Sequence, residues 1–187
     1  MSRYVMVDVE TDGDIPGDYS MVSLGAVLVT PALNQNFYGQ FRPLPGARFR
    51  PEALAISGHS RDEVEGFPRP ENTISVFAAW LAEVVPGAPP LFVSDNNGFD
   101  WSFVNWYFHH FRGSNPFGHS STNLGSLYKG LVGDVRQNFK HLRRTRHTHH
   151  PVDDAKGNAE ALLYLVAHKG LKIPGLKAED CAKAIPI

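Results

Sequence analysis

YVMVDVETDG, residues 4–13, begins as an apolar run and sets two carboxylates, Asp8 and Glu10, two positions apart at its end. Side chains alternate along a strand, so Asp8 and Glu10 share one face while Val7 and Val9 take the other. Two like charges on one small surface repel, and that repulsion raises the pKa of at least one of them. A cation between them removes the conflict, which makes this strand end a candidate metal site.

Outward from that strand, a loop holding Gly13, Pro16 and Gly17 leads to MVSLGAVLVT (residues 21–30), a second apolar strand, and then to NFYGQFRPL (36–44), a third. The PALNQ link between the last two suits a hairpin, so the chain opens as a three-stranded antiparallel meander. PGARFRPEALAISGHSRDEV (45–64) reads as an irregular stretch with a short helix. Between Glu71 and Val85, Ile74, Phe77, Ala78, Leu81, Val84 and Val85 recur at helical spacing. PGAPP stops that helix, LFVS (91–94) follows as a short strand of the fully buried kind, and FDWSFVNWYFHHF (99–111) is the next helix. A Gly/Ser/Asn-rich link precedes LGSLYKGL (124–131), a further short helix. The segment Asp153 to His168 then aligns Ala155, Ala159, Leu162, Leu163 and Val166 on one helical face. The tail from Leu171 reads as irregular. Strands first, then helix and strand in alternation, predict an α/β fold: a mixed sheet of meander plus parallel strands, flanked by helices.

The length of 187 residues suits one domain with a substantial core, its motif-bearing part running from about 4 to 168 with a tail over 169–187. Lys and Arg total 18 against 19 Asp and Glu, so a polyanion site must be local rather than a property of the whole surface. A lone cysteine, Cys181, excludes an internal disulfide and suits a reducing compartment. Arg3 ahead of an acid-interrupted apolar run does not read as a signal peptide, and no stretch has the length of a membrane span. The expectation is a cytoplasmic protein with no membrane partner.

More acids stand at the ends of predicted elements. SDNNGFDWSFV puts Asp100 at the start of a helix just after the buried strand, and HTHHPVDDAKGNAEALL puts Asp153 and Asp154 at the start of the last long helix, behind a histidine cluster. In α/β folds, strand C-termini and helix N-termini converge on one pocket. Carboxylates meeting there suit hard cations such as Mg²⁺ or Mn²⁺, which prefer oxygen ligands. Each helix-start acid also has a simpler use as a helix cap.

VDVETDG, NNGFDWSFV and HHPVDDA, in this order, resemble the three motifs of the DEDDh 3′-to-5′ exonucleases, the proofreading-exonuclease and ribonuclease T superfamily with a ribonuclease H-like fold. PEALAISGHS is similar to the short block that this family carries between its third strand and first long helix. The resemblance runs from about Tyr4 to about Val166. The family spacing of five positions from histidine to aspartate pairs His149 with Asp154. Consecutive helical residues point about 100° apart, which leaves Asp153 as a cap. Two features depart from the commoner pattern: SDNN replaces the usual histidine ahead of the second-motif Asn, and Pro151 stands where alanine is frequent.

The resemblance implies a nuclease that uses two divalent cations, Mg²⁺ or Mn²⁺, held by Asp8, Glu10, Asp100 and Asp154, with His149 as the general base for the attacking water. It implies hydrolysis of the last phosphodiester at the 3′ end of single-stranded RNA or DNA, with release of nucleoside 5′-monophosphates. Thr11, Asn97 and Phe99 beside the motifs, and Arg144 and Arg146 in the basic stretch KHLRRTRHTHH, are the candidate substrate contacts. Trp101, Phe103, Trp106, Tyr107 and Phe111 follow helical spacing and are expected in the core. The family also allows a homodimer. Two other readings compete: a nuclease-fold binding module without activity, against which all five motif positions are filled, and a zinc protein using His147, His149, His150 and Cys181, which lacks ordinary zinc-finger spacing.

Overall fold

The computed structural model describes residues 2–186. β1 (Tyr4–Thr11) is the central strand of a five-stranded sheet ordered β3-β2-β1-β4-β5. β2 (Met21–Leu28) pairs antiparallel with β1, and β3 (Asn36–Gln40) pairs antiparallel with β2, which is the expected meander. β4 (Leu91–Ser94) runs parallel to β1, and β5 (Ser121–Asn123) runs parallel to β4. Central position explains why β1 and β2 are so apolar: both faces are covered.

Alternation along β1 sorts its side chains between two cores. Val5, Val7 and Val9 pack with Phe77, Phe103, Tyr107 and Phe108, from α3 (Pro70–Val84) and α4 (Asn97–Arg112). Met6, on the opposite face, packs with Val93, Leu124 of α5 (Leu124–Val132) and Ala155, Ala159 and Leu162 of α6 (Pro151–His168). Asp8 and Glu10 continue the Met6 face beyond the apolar packing, towards the start of α6. α1 (Pro51–Ile56) and α2 (Arg61–Glu65) replace the single short helix expected between β3 and α3. The second of them is fixed by a capping box in which Ser60 and Glu63 satisfy each other's N–H groups.

Three expectations are corrected. The link before α5 contains β5, a strand of only Ser-Thr-Asn that no hydrophobic pattern announces; its register follows from pairing with Phe92, Val93 and Ser94. The tail is not irregular throughout: α7 (Ala178–Ala184) forms there because Cys181 and, just after the helix, Ile185 bury themselves in the α6 core. Asp153 is not the cap of α6. His150 holds that position, and Asp153 accepts a hydrogen bond from the Thr148 hydroxyl at 3.1 Å.

Candidate active site

The four acids converge from three elements. Asp8 and Glu10 come from the end of β1, where the ladder to β2 slips between Glu10 and Thr11. Such a bulge turns the end of a strand and re-aims its side chains. Asp100 and Asp154 are each the fourth residue of a helix, α4 and α6, so each lies in the first turn, where the helix dipole favours negative charge. Oxygens of Asp8, Glu10 and Asp154 lie within 4.8 Å of one another.

One glycine makes this convergence possible. Gly25 of β2 stands opposite Asp8 in the ladder, and a Cβ there would run into the carbonyl of Pro151 and the nitrogen of Val152. Its bare backbone lets the first turn of α6 lie against the sheet, which carries Asp154 to Asp8.

Charge crowding shows in the protonation of the group. Burial, reinforced by the charges of Asp100, Glu10 and Asp154, holds the Asp8 carboxyl well above its ordinary range, against the pull of Arg143. Burial, with Asp154 and Asp100, pushes Glu10 up to about 8, and burial pushes Asp100 up to about 7. Oδ2 of Asp100 is buried without a hydrogen-bond partner. An all-carboxylate cluster that crowds negative charge and leaves a buried oxygen unpaired fits hard divalent cations.

The histidine segment is strapped to α6. The N–H groups of Thr148 and His149 donate to the two oxygens of Asp154, each at 3.1 Å. Nearly two turns further along α6, the buried Glu160 accepts from the N–H groups of Arg144 and Thr145 at 2.8 and 2.7 Å, and from the Thr145 hydroxyl at 2.8 Å. Gly157 lies beneath the same crossing, where a Cβ would press on the Thr145 carbonyl at 3.0 Å. His149 takes a left-handed conformation, φ 61°, and its Nδ1 lies 3.9 Å from Oε1 of Glu10. Its side chain remains half exposed, free to meet a ligand.

Sequence reasoning missed several contributors. His147, considered only as a zinc ligand, places Nδ1 2.8 Å from Oδ1 of Asp154. Arg143, rather than Arg144 or Arg146, is the cation set into the site: it is 9% exposed, bridges Asp95 at 3.0 Å and lies over the ring of Phe139. It stands in a run of basic residues, and only the Phe139 packing and the Asp95 pairing distinguish it. Glu160 had no signal beyond its place on the buried face of a helix.

The candidate substrate contacts fall in two places. Phe99 and Thr11 line a cleft of about 190 Å³ beside Glu10, together with Ala53 and Ile56. The Thr11 hydroxyl is engaged there, donating to the Gly13 carbonyl at 2.7 Å. Asn97 donates to the Ser121 hydroxyl at 2.8 Å, with its own Oδ1 buried and unpaired. Arg144 is exposed and reaches the Pro186 carbonyl, while Arg146 is exposed with no partner among the described residues. Phe103 and Tyr107 are core residues, as expected; Trp106 is partly exposed and stacks on His110 at 4.3 Å. Cys181 is buried beneath α6 and His150 stacks on Tyr38, so the four-residue zinc set does not assemble.

Comparison with known proteins agrees with this geometry. No family model matches the sequence. The chain is 39% identical over 131 residues to the 3′-5′ DNA exonuclease Cap18 of Escherichia coli, a match that covers 68% of each chain. Cell-death related nuclease 4 (CRN-4) shares the fold at a TM-score of 0.71 and 14% identity, over 87% of this chain and 63% of that one. The nuclease domain of 3′hExo, a DEDDh family member solved with rAMP, aligns at 0.67 and 15% identity over 91% of this chain and 94% of that domain. E. coli exonuclease I bound to a dT13 oligonucleotide aligns at 0.66 and 16% identity over 90% of this chain, which spans 42% of that chain. Mixed sheet, flanking helices and strand order define a ribonuclease H-like fold. The chain belongs to the DEDDh 3′-to-5′ exonuclease family, and it is an exonuclease.

Proposed function

We propose that this protein removes nucleotides from the 3′ end of a single strand by metal-assisted hydrolysis, with Asp8, Glu10, Asp100 and Asp154 as the ligand set and His149 as the general base. The observation that carries the reading is the convergence of the Asp8, Glu10 and Asp154 oxygens within 4.8 Å at the C-terminal end of the central strand, with burial and mutual repulsion raising the pKa of Asp8 and Glu10. Two divalent cations, Mg²⁺ or Mn²⁺, would supply charge stabilisation for the attacking and leaving oxygens of the phosphodiester.

The remaining work belongs to the chain. Asp154 is preorganised by the Thr148 and His149 N–H groups, so its carboxylate is oriented before a ligand arrives. His149 projects from the half-exposed loop opposite Glu10 and takes a proton from the attacking water. The cleft between Glu10 and Phe99 receives the terminal nucleotide, with the Phe99 ring available to the base. Arg146, exposed on the histidine-bearing loop, contacts a backbone phosphate. DNA is the favoured strand, because the relative at 39% identity is named as a DNA exonuclease.

The test follows 5′-labelled single-stranded DNA and RNA of one sequence, with Mg²⁺ or Mn²⁺, for the wild type, Asp8→Ala and His149→Ala. Shortening from the 3′ end with release of 5′-mononucleotides, lost in both variants, is expected, with DNA degraded faster. Cleavage that survives Asp8→Ala, or that needs no divalent ion, would sink the assignment.

A further inference from the structure

Beside the oxygen cluster stands a donor set of different character. His147 Nδ1 lies 2.8 Å from Oδ1 of Asp154, and the rings of His147 and His149 are 4.3 Å apart. One ligand atom from each of His147, His149 and Asp154 can be chosen so that all three fall within 4.8 Å of one another. Two nitrogens and one carboxylate oxygen are a poor match for Mg²⁺ and a good match for Zn²⁺. Zinc bonds of about 2.0–2.2 Å place tetrahedral ligand atoms about 3.4 Å apart, a spacing that the observed separations bracket. Both imidazoles are 50% exposed, so small side-chain rotations close the set while the backbone stays where Asp154 and Glu160 hold it.

We infer that His147, His149 and Asp154 form an inhibitory zinc site at the mouth of the catalytic centre. The inference rests on the proposed function, because a zinc ion held there engages the general base and one of the four carboxylates together. Divalent zinc binds mixed nitrogen and oxygen sets far more tightly than hard cations do, so trace zinc competes even against abundant Mg²⁺. His147 is therefore a residue that converts an oxygen-only centre into one that responds to transition metals.

The experiment uses the full chain without a histidine tag, stripped of metal and titrated with zinc chloride against a chromogenic chelator, with no nucleic acid present. Losing an outer partner of a metal ligand costs about 10–100-fold in affinity, so His147→Gln, which loses a ligand, is expected to weaken zinc binding at least about tenfold. His150→Gln, on the same loop but turned towards Tyr38, keeps the wild-type affinity. In Mg²⁺-supported hydrolysis of single-stranded DNA, with each protein's rate taken relative to its own zinc-free rate, His147→Gln needs correspondingly more zinc for half-inhibition. Equal zinc affinity in the wild type and His147→Gln overturns the site. A binding difference in a protein that hydrolyses neither DNA nor RNA sustains the site and overturns the hydrolytic reading instead.

Discussion

Asp8 faces opposite demands with and without cations. Buried among Asp100, Glu10 and Asp154, its charge is costly until a metal offsets it. Asp8→Asn is therefore expected to lower hydrolysis by at least about 10²–10³-fold and to raise the melting temperature of the metal-free protein at pH 8. The pH dependence has a definite sign. Glu10 moves from 4.5 to about 8 and Asp100 from 3.8 to about 7, so the unfolded chain releases protons that the folded chain still holds. Stability of the metal-free protein is greatest below about pH 4 as far as these groups are concerned, and falls as pH rises to about 8. Melting in chelator at pH 5 and pH 8 checks this: the pH 8 transition comes lower, and Mg²⁺ or Mn²⁺ restores it. His149→Ala loses about 10²–10⁴-fold in rate while strand binding by anisotropy persists. That Asp8 and Glu10 share one face of β1 was legible from alternation alone. The choice of His149 over its neighbours came from the family spacing, and the contact of His147 with Asp154 depends on a loop path that local sequence does not encode.

Among the elements, strands and helices with a clear apolar period were readable, because their faces must satisfy the core whatever the topology. β5 was not, since Ser-Thr-Asn carries no hydrophobic pattern and owes its form to its neighbour β4. α7 was obscured in a polar tail with few buried anchors. The contact between β2 and α6 was also invisible, because a glycine in a strand has many uses. Gly25→Ala forces the Pro151–Val152 backbone away from the sheet, and overpacking of this kind costs about 1–3 kcal/mol. The expected result is a lower urea midpoint together with weaker Mg²⁺ activation, since Asp154 retreats from Asp8. Glu160→Ala leaves the Arg144 and Thr145 N–H groups without their acceptor and lowers the turnover number more than it raises KM. An equal change in both parameters would instead make Glu160 part of ground-state binding.

Over the whole molecule, a formal net charge of -1 leaves little long-range attraction for a polyanion. Affinity for a single strand then depends on a few local cations, and its salt dependence is shallow. Arg146→Ala is expected to reduce the slope of log affinity against log salt by about 0.7, the value for one phosphate contact on a single strand. An unchanged slope would place the strand elsewhere. Meander and buried strand together announced a mixed sheet, and the resemblance added its ribonuclease H-like character. The division into one core under α3 and α4 and a second under α6 emerged only once β1 was placed at the centre.

The left-handed backbone of His149 decides how a substrate-trapping reagent is best made. Asn enters that conformation readily, whereas most side chains strain there by about 1–2 kcal/mol. His149→Asn therefore removes the imidazole while preserving the loop, giving a silent bait whose bound strands can be recovered from cell extract and sequenced at their 3′ ends.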